Sequence, residues 1–148
     1  MSAQKPIKLS DYIEYPFQIP RVDLDFNIFK DYVIVQSSMI IKPRLKECSK
    51  LILKGNKIKL LSISINGRRL ESEEYNLAVD ELVINKPPIS EFELKIESSI
   101  EPFSNTSLEG LYLSSGMLTT QWEAEGFRRI CYHPDRPDVL SKYTVRIE

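Results

Sequence analysis

Histidine and cysteine are scarce in this sequence of 148 residues, which contains one His and two Cys. A zinc site of the His-Glu-x-x-His type, or one with three His ligands, cannot be assembled from a single His. Cys48 and Cys131 lie far apart in the sequence and do not make a disulfide framework. We therefore expect free thiols in a reducing, cytoplasmic compartment and no metal site within these residues.

Long apolar runs and an excess of one charge are also missing. The N-terminal segment lacks the apolar stretch of a secretory signal, and no segment approaches the roughly 18 apolar residues of a membrane-spanning helix. The formal net charge is −1, from 20 basic and 21 acidic residues. We therefore expect neither a membrane nor a nucleic acid as a partner.

One basic segment departs from this balance. Between Lys42 and Lys59 lie seven Lys or Arg residues and a single acid, Glu47. The segment could be a stripe that binds an anionic ligand, or it could be ordinary solvated strand faces and loops. The absence of interleaved aromatic residues favours the second interpretation. A stand-alone β-sandwich binding module using Lys42 to Lys59 remains the alternative function.

Alternation of apolar and polar residues dominates the rest of the chain. Arg21 to Ile28 and Glu91 to Glu97 alternate strictly, which predicts half-buried strands. Tyr32 to Ile41 is rich in β-branched residues and predicts the second strand of a hairpin. Asp23 and Asp25 could be imagined as a metal pair, but the alternation indicates that they simply face solvent.

Local signals extend this all-β pattern. The apolar phase changes between Leu60 and Leu61, which predicts a bulge, and Asn66-Gly67 is typical of a two-residue hairpin turn. No segment keeps a helical period for three turns, so we predict at most a short helical turn near Pro137. The expected fold is a curved, saddle-like β-sandwich of mainly antiparallel strands, forming a single domain over residues 1–148.

Residues able to carry chemistry gather between Asn105 and Leu140, which includes the only Trp and the only His. Gln121, Glu123 and Glu125 are spaced by two, so on a strand they would share one face, with the carboxylates roughly 6 to 7 Å apart. Such a row could supply glycosidase carboxylates, bind a cation or an amine, or form a solvent face. The residues alone favour the solvent face.

A second candidate pair lies just beyond this row. Cys131 and His133 are also spaced by two and could form a nucleophile and base on one face of a strand. No Asn or Asp is identified that would orient the ring, and Pro134 indicates a turn. A packed Cys and a surface or capping His is the interpretation we favour.

Two stretches resemble a known family. The segments PRVDLDFNIFKDYVIVQSS and NTSLEGLYLSSGMLTTQWEAEGFRRICYHPDRPDVLSKYTVRIE resemble the first hairpin and the end of the N-terminal β domain of bacterial aminopeptidase N, a zinc-dependent gluzincin aminopeptidase. The likeness extends from about Asp11 to Glu148. Its most specific parts are the strings Gln-x-Glu-Ala-Glu-Gly-Phe-Arg and Asp-Arg-Pro-Asp.

The resemblance implies a saddle of β-sheets that lies against a thermolysin-like catalytic domain and lends one strand-and-loop segment to its active site. Carried onto this sequence, Glu123 would bind the free α-amino group of a peptide substrate, and Gln121 would line the pocket for the first residue. Glu125 matches the motif without an implied substrate contact. The implied partners are the peptide N-terminus and the catalytic domain of the same parent chain.

Two motifs of that family, Gly-x-Met-Glu-Asn and His-Glu-x-x-His, are missing from these residues. The resemblance therefore implies that zinc is held by a catalytic domain absent from this sequence, and that this chain alone has no catalytic residue and is not an enzyme. Strand-like alternation continues to Glu148, which fits an excised domain, although a genuine C-terminal strand would look the same. A purely structural domain whose polar row never meets substrate is a further alternative.

Overall fold

The structure, a computed structural model, describes residues 8–45 and 50–148. This part of the chain forms eleven strands and two 3-10 helices, Leu9–Asp11 and Phe127–Arg129. The strands are β1 (Phe17–Ile28), β2 (Val33–Pro43), β3 (Leu51–Lys54), β4 (Lys59–Ile65), β5 (Arg68–Arg69), β6 (Tyr75–Leu77), β7 (Glu81–Ile84), β8 (Phe92–Ile100), β9 (Gly110–Ser114), β10 (Met117–Gln121) and β11 (Lys142–Ile147). The predicted all-β class is confirmed.

Three sheets are built from these strands. A six-stranded sheet has the order β11-β1-β2-β8-β4-β5, a three-stranded sheet has the order β3-β7-β6, and β9 pairs with β10. Among the described pairings only that of β1 with β11 is parallel. Apolar side chains from the two larger sheets join one buried cluster, which gives the predicted sandwich of mainly antiparallel strands.

The long hairpin of β1 and β2 forms as its alternation predicts. Val22 and Leu24 on β1 are buried, whereas Phe26 is only half-buried and Ile28 is 38% exposed. All four side chains share one face of the strand. The inward face of β1 therefore leaves the core before the strand ends, and its uncovered part contributes to the groove described below.

Two register shifts reconcile changes of apolar phase with a single core. The pairing of β4 with β8 shifts between Leu60 and Ser62, which confirms the predicted bulge. The pairing of β1 with β2 shifts between Gln18 and Arg21, around Pro20. Because proline lacks a ladder donor, it is tolerated in a strand at such an irregularity. The strand consequently begins earlier than the alternation alone predicts.

The turn between β4 and β5 has the predicted geometry. Asn66 and Gly67 have φ values of 49° and 79°, so both central residues lie in the left-handed region that this two-residue turn requires. The Asn66 side chain also accepts a hydrogen bond from the backbone N–H of Glu93 at 2.9 Å. The turn is thereby tied to the neighbouring strand β8.

The segment after the second 3-10 helix is fastened to the three-stranded sheet. The backbone N–H of Lys54 donates to the His133 carbonyl at 2.8 Å, and the N–H of His133 donates to the Lys54 carbonyl at 3.1 Å. Gly55 follows directly under the Tyr132 ring, where an added Cβ would overlap the aromatic carbons. This close approach anchors one side of the candidate site.

The C-terminal alternation forms β11, the edge strand beside β1. A turn near Pro137 is present as predicted, with the Val139 N–H donating to the Arg136 carbonyl at 3.2 Å. The 3-10 helix Phe127–Arg129 was not predicted, because three residues carry too short a pattern to detect a helical period. Within residues 8–45 and 50–148, the structure contains no helix of the length and apolar character needed to span a membrane.

Candidate functional site

A short hairpin carries the first candidate residue. Its strands β9 and β10 are joined by Ser115 and Gly116, which have φ values of 50° and 82°. Gln121 is the last residue of β10 and is paired with Gly110, the first residue of β9. Since the partner strand begins there, the ladder ends at Gln121, and the chain is free to turn away from the sheet.

The prediction that the carboxylate row lies on one face of a strand is wrong. Residues 123–126 form a turn rather than a continuation of β10, and the Glu123–Ala124 peptide bond is cis. The N–H of Gly126 donates to the Trp122 carbonyl at 2.8 Å and closes this turn. A side chain at Gly126 would bring a Cβ to 2.7 Å from the Trp122 Cα, so glycine permits the close approach.

Gln121 and Glu123 nevertheless lie together at the start of this turn. The Gln121 side-chain amide donates to the Glu123 carbonyl at 3.0 Å. The Glu123 side chain is exposed, and its carboxylate accepts no hydrogen bond and forms no ion pair within the described residues. Neighbouring acids differ, because Glu125 pairs with Arg128 at 3.4 Å and Glu109 with Arg129 at 3.0 Å.

Glu123 lines an open groove of about 900 Å³. The groove runs over the uncovered face of β1 and β11, with the turn and the second 3-10 helix along its side. Its apolar lining includes residues from both strands and from the turn: Leu24, Phe26, Ile28, Trp122, Phe127, Tyr143, Val145 and Ile147. The free carboxylate of Glu123 is therefore placed beside a mainly apolar surface.

The groove is an exposed extension of the core. Trp122 is 50% exposed, Val145 54% and Ile147 67%, although each is part of the lining. The Trp122 ring meets the Phe127 ring edge to face at 6.4 Å, which holds the indole at the rim. A contiguous apolar surface of this kind marks a binding surface in soluble proteins.

Cys131 does not serve as a nucleophile in this arrangement. Its side chain is buried at 1% exposure, and burial raises the pKa of the thiol far above its ordinary value. A protonated, inaccessible thiol is a poor nucleophile, since the thiolate is the reactive form. The packed cysteine favoured from the sequence is thus confirmed.

His133 corrects one part of that interpretation, because it is buried at 3% exposure rather than lying on the surface. Burial lowers its pKa to about 4, partly opposed by the charge of Asp135. The ring does act as a cap: its Nδ1 accepts the backbone N–H of Asp135 at 3.1 Å. The proton of the neutral ring is then on Nε2, which lies 3.3 Å from the Tyr143 hydroxyl and donates to it.

The other sequence candidates have ordinary partners. Asp23 pairs with Arg21 at 2.8 Å, and Asp25 lies 3.6 Å from Arg146. The described residues contain no group of three or more His, Cys, Asp or Glu side chains that could hold a metal ion. Cys48 and part of the basic segment, including Lys46, lie outside the described residues.

Two residues that are not among the candidates from the sequence, Arg128 and Asp135, also join the site. The Arg128 Nε donates to the Asp135 Oδ2 at 2.6 Å, and the two side chains are 23% and 10% exposed. Arg128 also reaches Glu125, which places it behind the turn that carries Glu123. Arg128 ends the Gln-x-Glu-Ala-Glu-Gly-Phe-Arg string, and Asp135 begins the Asp-Arg-Pro-Asp string. Their place in these two specific strings was the signal in the sequence that could have identified them.

Comparisons with known sequences identify relatives of this chain. Residues 18–148 match the Peptidase M1 N-terminal domain family. Relatives include aminopeptidase N of Caulobacter vibrioides, 43% identical over 142 residues, and aminopeptidase N of Escherichia coli, 40% identical over 141 residues. The alignments cover 96% and 93% of this chain but only 16% and 15% of the relatives. The chain thus spans less than a fifth of the length of these relatives.

Solved structures show the same relation. Aminopeptidase A of Legionella pneumophila, in complex with aspartic acid, has a TM-score of 0.86 and 34% identity, over 95% of this chain and 17% of that one. An M1 zinc metallopeptidase of Deinococcus radiodurans shares the fold, with a TM-score of 0.74 at 17% identity, over 89% of this chain and 32% of that one. The chain resembles the N-terminal domain of aminopeptidase N and belongs to the Peptidase M1 N-terminal domain family.

Proposed function

We propose that this chain is the substrate-anchoring domain of a zinc aminopeptidase that removes N-terminal residues from peptides. Glu123 binds the α-amino group of the substrate, and Gln121 lines the pocket for its first residue. The observation that carries the proposal is the free Glu123 carboxylate on the rim of an apolar groove, among acids that are already paired. A carboxylate with open acceptor sites can receive the charge-assisted hydrogen bonds of an ammonium group.

This position would determine which peptide bond is cleaved. An ammonium group occurs on a peptide backbone only at its N-terminus. A carboxylate that binds this group therefore fixes the position of the first peptide bond, one residue further along the substrate. Binding energy used in this way orients the substrate for the reaction. Gln121 is suited to a neighbouring role, because its amide already lies against the Glu123 backbone at 3.0 Å.

We assign no zinc to this chain's own residues. The only histidine is buried, its Nδ1 accepts a backbone N–H, and no group of three metal-binding side chains occurs in the described residues. The Deinococcus relative is a zinc metallopeptidase, and this chain covers 32% of its length. We assign the metal and the catalytic residues to another domain of the parent chain, so this chain alone is not expected to hydrolyse peptides.

That catalytic domain is also the partner we assign to the apolar groove. The exposed residues of the groove lie on β11 and at the end of β1, beside Glu123. Covering them would remove apolar surface from water and exclude solvent from the carboxylate, which strengthens its interaction with an ammonium group. The parent protein is proposed to be cytoplasmic, in keeping with the buried free thiol of Cys131, and cell fractionation tests this.

The alternative binding function of the basic segment is not favoured. Lys42 pairs with Glu91 at 2.7 Å and Arg44 with Glu14 at 3.0 Å. Lys54 pairs with Glu81. Three of the seven cations of the segment are thus paired with acids of the same chain, which weakens the attraction of the segment for an anionic ligand.

The test is the substitution Glu123→Ala in the full-length protein, measured with an aminoacyl chromogenic substrate. We expect kcat/KM to fall by roughly 10²- to 10³-fold with the melting temperature unchanged. Glu109→Ala is the matched control, since it removes an acid of the same hairpin region that lies outside the groove. Gln121→Ala should cost less and change the preference for the first residue. A Glu123→Ala variant within threefold of wild type would refute the proposal.

A further inference from the structure

An ion pair connects the two most specific strings of the sequence. Arg128 donates from Nε to the Asp135 Oδ2 at 2.6 Å, and its backbone N–H donates to the same oxygen at 3.2 Å. Asp135 is therefore bound to both the backbone and the side chain of Arg128. With the side chains only 23% and 10% exposed, this pair is better shielded than the exposed ion pairs that contribute little.

On the side away from Glu123, the ion pair is held by hydrogen bonds to the segment around Lys54 and Asn56. The Asp135 N–H is held by His133, whose backbone pairs with Lys54. The Arg128 carbonyl accepts the N–H of Asn56 at 2.8 Å, a second tie to the segment after β3. Arg128 is thus fixed by backbone contacts that belong to the body of the sandwich.

The near side of the pair reaches the turn that carries Glu123. The Arg128 Nη2 lies 3.4 Å from the Glu125 Oε1, and the Glu125 side chain is 72% exposed. Glu125 has a φ of 65°, a left-handed conformation that residues other than glycine rarely adopt and that surrounding contacts must maintain. Two contacts meet at this turn: the hydrogen bond from the Gly126 N–H to the Trp122 carbonyl, and the Glu125 carboxylate beside Arg128, whose own side chain is only 23% exposed.

We propose that Arg128, clamped by Asp135, is a positioning residue that holds the turn at Glu125 and so sets where Glu123 presents its carboxylate. This inference rests on the proposed anchoring role of Glu123. Arg128 itself does not touch substrate. Its guanidinium serves this purpose because one planar fork can bind two carboxylates at fixed angles, which the single ammonium of lysine cannot do.

A double-mutant cycle in the full-length protein separates positioning from general stability. The variants are Arg128→Gln, Glu123→Ala and the two combined, with kcat/KM measured on a substrate with a free α-amino group. We expect Arg128→Gln alone to lower kcat/KM by about tenfold. In the Glu123→Ala background the same substitution should have no further effect, because the carboxylate it positions is gone.

Arg129→Gln is the matched control. Arg129 lies on the same 3-10 helix with 21% exposure, but it pairs with Glu109 and Ser107, away from the turn. It should leave kcat/KM within twofold of wild type. If Arg128→Gln does not fold, Arg128→Lys is used, which keeps the charge but lacks the fork; we expect the same direction and the same loss of effect in the Glu123→Ala background.

The outcomes distinguish the two proposals. Additive losses from Arg128→Gln and Glu123→Ala, or an equal loss from Arg129→Gln, would overturn the positioning role and leave the anchoring role intact. An unchanged Arg128→Gln variant beside an impaired Glu123→Ala variant would do the same. If Glu123→Ala itself has wild-type activity, the anchoring function fails and the positioning role fails with it.

Discussion

Acid should unfold this chain through its single buried histidine. Burial lowers the pKa of His133 from its ordinary value of 6.5 to about 4 in the folded state. Between these values the unfolded chain binds the proton and the folded chain does not. The free energy of unfolding therefore decreases as the pH falls from the upper value to the lower one. The stability that depends on the neutral ring is fully present only above the upper value.

The two pKa values give the size of the effect. A difference of about 2.5 pH units corresponds to about 3 kcal/mol of stability, of which about 2 kcal/mol is lost between about pH 7 and about pH 5. Hydrogen bonds from the Arg68 and Arg136 guanidinium groups lower the pKa values of Glu74 and Asp138 below their ordinary 4.5 and 3.8, so the stability that these carboxylates contribute is lost only as the pH falls below those ordinary values. The histidine window can thus be measured separately.

The assay is urea unfolding of the 148-residue chain across this range, compared with His133→Asn, whose side-chain oxygen can still accept the Asp135 N–H. We expect the variant to be less stable overall but to show a much flatter dependence on pH. The imidazole resonances of the only histidine should titrate near pH 4 in the folded wild type. Titration at the ordinary value, or parallel pH profiles for the two proteins, would refute the reasoning.

Two further substitutions test the packing around the site. Gly126→Ala should lower kcat/KM of the full-length protein clearly and its melting temperature only slightly, because the added Cβ would lie 2.7 Å from the Trp122 Cα and displace the turn. Unchanged kinetics would show that the turn does not need this close approach. Val145→Asp should leave the stability of the 148-residue chain nearly unchanged, since Val145 is 54% exposed, but should lower the melting temperature of the full-length protein if the groove is covered there. Equal effects in the two proteins would contradict that arrangement.

Much of the scaffold could be predicted because its signals are local. Alternation in Arg21 to Ile28, the phase change at Leu60 and the Asn66-Gly67 turn each depend on a few adjacent residues, and all three appear in the structure as expected. The parallel pairing of β1 with β11 is different, because it joins residues more than a hundred positions apart. Alternation identifies each strand but contains no information about its partner.

The site was harder to predict for a related reason. Glu123 and Glu125 have the spacing of a strand face, but the ladder ends at Gln121 and the chain then turns, with Gly126 packed closely against Trp122. The burial of His133 and its bond to Asp135 likewise depend on tertiary contacts. The roles of Gln121 and Glu123 came from the family resemblance and stay predictions.

Recognition of the α-amino group by Glu123 is measured most directly by comparing two ligands of the full-length protein. One is a peptide inhibitor with a free amino terminus, and the other is the same peptide with the amino group replaced by hydrogen. The wild type should bind the amine roughly 10²-fold more tightly, and the Glu123→Ala variant should bind both about equally. A variant that retains the full preference for the amine would contradict the account.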